Sequence, residues 1–162
     1  MKYKAEEFLP LLGILAFVFF LSFGVYKYQN GAGWYDGMRI FMGCFFLIFG
    51  LCKIYNLHGF VDAYQMYDLI AERSQLYAYC YPFIEVALGI AYLMNWYPFA
   101  TNIITLIIST VSAVGVLKSI TAGREIMCAC LGAVFHVPMT WVSFLEDAVM
   151  AIMAAIMLTW TL

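Results

Sequence analysis

The sequence predicts an all-α integral membrane protein, a small bundle of about five transmembrane helices with almost no soluble part. Of its 162 residues, 65% are hydrophobic and only 11% are charged, and the mean hydropathy is +0.89. A soluble domain carries about 25% charged residues, because its surface must face water. Most of this surface is therefore expected to face a lipid bilayer. The net charge of −2, without a basic stripe, argues against a nucleic-acid partner.

Five stretches are long and apolar enough to span a membrane, whose hydrocarbon core of about 30 Å needs about 20 residues of helix. The first stretch comes after Lys2 and Lys4, and positive residues before an apolar run are also typical of a signal peptide. No A-x-A-like cleavage site comes after it, which predicts a retained helix. The predicted spans are 8–27, 37–56, 76–96, 99–120 and 141–162.

The connections between these spans also carry predictions. Arg39 and Lys53 lie near the ends of the second span and are expected to extend to the lipid headgroups. Residues 95–98 predict a tight turn between the third and fourth spans. Residues 57–73 alternate apolar and polar side chains at helical spacing, which predicts a short interfacial helix. This helix is expected either to connect the spans and seal one end of the bundle or to form an acidic lip that attracts cations.

The distribution of Lys and Arg predicts the orientation. Six of the eight lie on one side of the predicted spans and two on the other. The positive-inside rule then puts the amino terminus and the 121–140 loop in the cytoplasm. The predicted location is the bacterial inner membrane.

The 121–140 loop, called the thiol loop below, contains the densest chemistry. Cys128 and Cys130 are separated by one residue. Two such thiols can bind a soft metal ion together. They can also form a disulfide, which at an extended Cα separation of about 6.6 Å is strained and suited to exchange. Two packed small residues are the third interpretation. The candidate metal ligands in this loop are Met127, Cys128, Cys130, His136 and Met139.

Three carboxylates lie within or at the edge of predicted spans. Glu85 is at the centre of the third span, where a charge costs about 2.5–3.5 kcal/mol, so it needs a partner or a proton and must face the bundle interior. It is a candidate cation waypoint, a proton carrier or a polar clamp between helices. Glu146 and Asp147 open the last span. They either complement the helix dipole or help to collect a cation.

The methionine and cysteine residues of the spans are expected to pack inside the bundle. Met150, Met153 and Met157 share one helix face, which is typical of bundle packing rather than a metal ladder. The thiols of Cys44, Cys52 and Cys80 lie in apolar spans, where buried small residues are expected.

Several of these residues form an ordered pattern, which consists of Lys53, P-x-x-E at Pro82 and Glu85, C-x-C-x-G from Cys128, and the pair Glu146 and Asp147. In this combination the chain resembles the MauE/DoxX family of redox-associated membrane proteins over residues 38–160. It is most similar to a small MauE-like branch with a CACLG loop, associated with heavy-metal-associated domains. Many relatives read CGCFG, so Ala129 and Leu131 depart from that form. The resemblance implies a four-helix core within 37–162, an extra N-terminal helix within 1–36, and a thiol-linked role.

Three functions follow as hypotheses. The first is passage of a soft metal ion, Cu(I) or mercury-like, through Cys128 and Cys130, in exchange with a heavy-metal-associated domain. The second is a thiol–disulfide accessory role of the same pair with a thioredoxin-like partner. The third is a structural subunit of an oligomer or larger assembly. Because cytoplasmic thiols are kept reduced, the predicted orientation favours the metal function. Whether the chain is an enzyme stays open.

Overall fold

Six helices make up the fold of the chain in a computed structural model, which describes residues 9–31, 33–122 and 141–161. Five of them are long and apolar enough to cross a membrane. No strand occurs among these residues, so the predicted all-α membrane fold with five spans is confirmed. The helices are α1 (Leu9–Tyr28), α2 (Trp34–Tyr55), α3 (Leu57–Tyr64), α4 (Gln75–Leu93), α5 (Pro98–Thr121) and α6 (Trp141–Thr161).

Helices α2 and α4 approach each other closely at glycine residues. A Cβ atom added to Gly89 would lie 2.8 Å from the Leu47 backbone nitrogen and 3.0 Å from the Gly43 carbonyl oxygen. A Cβ atom on Gly50 would lie 3.1 Å from the Pro82 carbonyl oxygen. Small residues let membrane helices approach until their backbones touch. This approach brings the inward-facing side chains of α2 and α4 within bonding distance of each other.

The turn between α4 and α5 agrees with its prediction. Asn95 and Tyr97 adopt left-handed backbone conformations, with φ of 54° and 42°. Pro98 then opens α5 at a first-turn position, where its missing N–H is not needed. The two helices therefore form a hairpin.

The segment after α2 differs from the predicted interfacial helix over 57–73. Helix α3 ends at Tyr64 and a series of turns follows to residue 73. The Asp68 carboxylate accepts hydrogen bonds from the backbone N–H groups of Ile70 and Ala71, both at 2.9 Å. A short acidic side chain that bonds nearby backbone in this way competes with the helix. The segment also packs inward, since Phe60 and Tyr64 are each only 1% exposed.

Arg39 is a structural clamp and does not extend to the headgroups as predicted. Its side chain is buried, and one guanidinium nitrogen donates to the carbonyl oxygens of Tyr92 at 2.6 Å and Leu93 at 2.9 Å. The other terminal nitrogen donates to Gln29 at 3.0 Å. A cation at the end of α4 satisfies carbonyl groups that have no partner in the helix.

The predictions for the methionine and cysteine residues of the spans are confirmed in part. Met150 and Met157 are buried in the core, with Met153 packed against them, which supports the packing interpretation. Cys44 is buried as expected. Cys52 is only half-buried and Cys80 is exposed, so the expectation of buried residues is wrong for Cys80. Its position in α4 turns the thiol away from the bundle.

Candidate functional site

Four charged side chains from three helices line one enclosed cavity, and they are called the charged cluster below. They are Lys53 of α2, Glu85 of α4, and Glu146 and Asp147 of α6. The cavity has a volume of about 30 Å³, which is room for one or two water molecules. These residues are separated by up to 94 positions in the sequence, and the bundle brings them together.

Lys53 is directed inward and pairs with Glu85. Its Nζ atom lies 2.5 Å from the Glu85 carboxylate, and the two side chains are 9% and 4% exposed. The prediction that Lys53 extends to the headgroups is therefore wrong. Its ammonium also lies over the rings of Tyr81, at 5.0 Å from the centroid, and Phe60, at 5.5 Å. Aromatic faces attract cations, and they stabilise a charge held away from water.

The prediction that Glu85 faces the bundle interior is confirmed. The residue is only 3% exposed, and one carboxylate oxygen accepts from Lys53. The other oxygen, Oε2, is buried and makes no hydrogen bond of ordinary geometry among the described residues, although the Tyr81 hydroxyl lies near the carboxylate. Since buried polar atoms are nearly always bonded, this oxygen marks a place where a proton, a water molecule or a cation can act.

Glu146 and Asp147 do not lie in the first turn of α6. The helix begins at Trp141, and they are its sixth and seventh residues, so the helix-dipole explanation is wrong. Asp147 accepts a hydrogen bond from the Ser112 hydroxyl of α5 at 2.8 Å. The Glu146 Oε1 atom is buried without a partner among the described residues. Both acids therefore belong to the interior cluster.

The charges in the charged cluster do not balance. One ammonium faces three carboxylates, and an unpaired carboxylate is strongly disfavoured away from water. The cluster must hold at least one proton or bind a further cation to stay within the bundle. Among the residues that the structure describes, no group of three His, Cys, Asp or Glu side chains is arranged to hold a metal ion.

The segment around α3 covers the cavity. Phe60, Tyr64 and Tyr67 line it together with the charged residues. The Tyr64 hydroxyl donates to Asp68 at 2.9 Å, and burial raises the pKa of Tyr64 well above its ordinary value, so the hydroxyl keeps its proton. The predicted acidic lip is only partly exposed, because Asp68 is fully buried whereas Asp62 and Glu72 face outward.

The predicted ligands of the thiol loop, Met127, Cys128, Cys130, His136 and Met139, lie outside the described residues. The two ends of the loop are described. Thr121 ends α5 and Trp141 begins α6. Asp147 is six residues from Trp141, or about 9 Å along the helix, and Ser112 is nine residues from Thr121, or about 14 Å. The loop is therefore attached at the end of the bundle that holds the charged cluster.

Other functional residues were not anticipated from the sequence. Ser109, Ser112 and Tyr81 line the cavity, although none is charged. The signal that could have found the two serines is their spacing, because Asn102, Thr105, Ser109 and Ser112 recur at three and four residues along an apolar helix.

Comparison with known proteins identifies one family. A family model described as methylamine utilisation protein MauE matches residues 32–160, which is most of the chain and includes all four residues of the charged cluster. No curated protein and no solved structure gives a significant match.

Proposed function

This chain belongs to the MauE family, and from that premise we propose that it is a membrane accessory protein of methylamine utilisation that performs thiol–disulfide exchange. In this proposal Cys128 and Cys130 exchange a disulfide with a partner protein. The charged cluster holds the protons that the exchange displaces. The observation that carries the proposal is the excess of buried carboxylates beneath the attachment points of the thiol loop.

The chemistry of exchange explains why such carboxylates are useful. A thiol must lose its proton before the thiolate attacks a partner disulfide, and the leaving sulfur then takes up a proton. Over a complete exchange the two thiols of the chain become a disulfide, and the partner disulfide becomes two thiols. Two electrons and two protons pass to the partner. A carboxylate with a free buried oxygen, as in Glu85 or Glu146, can hold a proton between these steps.

The donor set of the cavity favours this function over the soft-metal function predicted from the sequence. Carboxylates, hydroxyls and an ammonium line the cavity, with Met150 as a sulfur donor. Soft ions prefer thiolate and thioether ligands, whereas most polar groups that line this cavity offer oxygen atoms. A path for Cu(I) or a mercury-like ion therefore gains no support from the interior. Binding of such an ion by the thiol loop alone stays a prediction.

The experiment is a trapping assay on the full chain in its native membrane. Cells are quenched with acid, thiols are alkylated with a mass-tagged maleimide, and the redox state of Cys128 and Cys130 is read by the mass shift. We expect the Cys130→Ser variant to accumulate a mixed disulfide with a partner protein, because the second thiol that releases it is missing. A matched Cys44→Ser variant should accumulate none. Fully reduced thiols that form no mixed disulfide in Cys128→Ser or Cys130→Ser would contradict the proposal.

A further inference from the structure

One face of α5 is polar and buried over nearly half of the helix. It consists of Asn102, Thr105, Ser109 and Ser112 and is called the polar face below. These residues are between 0% and 5% exposed. Spacings of three and four residues put each side chain next to the following one on a helix. The polar face rises about 15 Å through the bundle, from one turn after Pro98 to the charged cluster.

The cluster end of the polar face connects directly to the carboxylates. Ser109 and Ser112 line the same cavity as the charged cluster, and the Ser112 hydroxyl donates to Asp147 at 2.8 Å. The groups that face this cavity are the Lys53 ammonium, the carboxylates of Glu85, Glu146 and Asp147, and the phenols of Tyr64, Tyr67 and Tyr81. A proton that reaches Ser112 is therefore within one hydrogen bond of an acceptor.

The far end of the polar face has hydrogen-bonding capacity that the protein does not use. Asn102 accepts from the Tyr92 hydroxyl at 2.8 Å, but its Nδ2 atom has no partner among the described residues. The Thr105 hydroxyl is also buried, lies near the Tyr92 phenol, and makes no hydrogen bond of ordinary geometry among the described residues. Other hydroxyls in the membrane helices instead bond the carbonyl four residues earlier, as Ser22 and Thr110 do at 2.6 Å. Thr105 is thus left available to another donor or acceptor.

From this arrangement we propose that the polar face of α5 is a proton-exchange pathway between the charged cluster and the membrane side on which α5 begins. Hydroxyl and amide groups both donate and accept, so they can relay a proton through intervening water molecules. The thiol loop is attached on the opposite side, where α5 ends and α6 begins. Protons held at the charged cluster would therefore exchange with the other side of the membrane, while the exchange at the thiols stays balanced in protons. This inference deepens the proposed function, but its test is independent of the thiols.

The test follows protonation of the buried carboxyl groups after a pH step applied to one side. The full chain, with its thiols alkylated, is reconstituted in phosphatidylcholine vesicles. Molecules with the Pro98 end outward are selected through an affinity tag on the carboxyl-terminal end, which leaves the membrane on that side. The external pH is then lowered, and infrared spectroscopy records the growth of the protonated-carboxyl band. Loss of this band in Asp147→Asn and Glu85→Gln assigns it to the charged cluster.

The decisive variants differ at one hydroxyl. We expect Thr105→Val, which keeps the side-chain shape, to slow protonation at least tenfold. Thr105→Ser, which keeps the hydroxyl, should stay within about twofold of the wild type. Thr110→Val is the matched control on the same helix, because this threonine is exposed and bonded to its own helix, and it should also stay within about twofold.

Three results would overturn the pathway. Wild-type kinetics in Thr105→Val would mean that the polar face only packs the helices together. Equal slowing in Thr105→Val and Thr105→Ser would indicate a packing effect instead of a proton relay. If the wild type shows no titrating carboxyl band, the charged cluster does not accept protons and the pathway has no end point. Because the thiols are blocked throughout, fast protonation combined with a failed trapping assay would reject the proposed function and leave the pathway in place.

Discussion

Removal of the Lys53 ammonium should destabilise the bundle far more than removal of a surface lysine. In Lys53→Met the aliphatic stem is replaced by a side chain of similar length, but the Glu85 carboxylate loses its charged partner. Both side chains of the pair are at least nine-tenths buried. Loss of one partner from such a pair costs about 3–5 kcal/mol, whereas an exposed pair contributes about 0–1 kcal/mol. Glu85 can take up a proton, so we expect the lower end, about 3 kcal/mol at neutral pH.

A double-mutant cycle separates the pair from general packing. Glu85→Gln should retain the fold, because the amide keeps much of the hydrogen bonding. The double variant Lys53→Met/Glu85→Gln should recover most of the loss, since Glu85 no longer remains as a buried carboxylate without its partner. The assay is reversible unfolding of the purified chain in mixed micelles, with the exposed Lys118→Met as control. Additive effects of the two single variants, or equal losses in Lys53→Met and Lys118→Met, would refute a stabilising buried pair.

Three further predictions follow from the packing and the thiols. Gly89→Ala should lower the free energy of unfolding by about 1–3 kcal/mol because its Cβ meets the α2 backbone, whereas Gly13→Ala, with open space around it, should not; thermal unfolding compares the two. In membranes a lipid-soluble maleimide should label the exposed Cys80 much faster than the buried Cys44, as measured by mass spectrometry. Equal labelling rates would contradict the outward direction of the Cys80 side chain on α4. Cys128→Ser and Cys130→Ser should each abolish partner exchange while Cys44→Ala, Cys52→Ala and Cys80→Ala retain it, and equal loss in all five would assign the cysteines to packing.

The sequence predicts the spans well because membrane thickness constrains helix length directly. Five apolar stretches of about 20 residues leave little freedom in where a helix lies, and the described helices agree with them. The inward direction of Glu85 follows from the same physics, since a carboxylate at mid-membrane depth cannot face lipid. The depth of a residue in the membrane and the composition of a span depend on nearby residues alone, so they can be predicted from a single sequence.

Side-chain directions near the ends of helices could not be predicted in the same way. Lys53 is within the last turn of α2, where a long side chain can either extend to the headgroups or turn inward. The choice depends on Glu85, 32 residues away on another helix. The end of α3 depends likewise on the bonds of Asp68 to its own backbone, which compete with the amphipathic pattern.

The sequence therefore predicted individual residues of the candidate site but not how they come together. Glu85, Glu146 and Asp147 were identified, but their convergence with Lys53 required the packing of α2 against α4 and of α5 against α6. The polar face was missed because serine and threonine hardly lower the hydropathy of a span. The thiol loop and the predicted membrane orientation remain predictions.

The central claim is that the charged cluster assists thiol exchange at Cys128 and Cys130, and one rate measures it. The reconstituted full chain is reduced, oxidised glutathione is added, and oxidation of the two thiols is followed by quenched alkylation at several pH values. The account predicts that Asp147→Asn slows oxidation at least tenfold near neutral pH and that the exposed-acid control Asp62→Asn does not. Equal rates in the wild type and Asp147→Asn, with both proteins folded, would contradict the coupling of the thiols to the cluster.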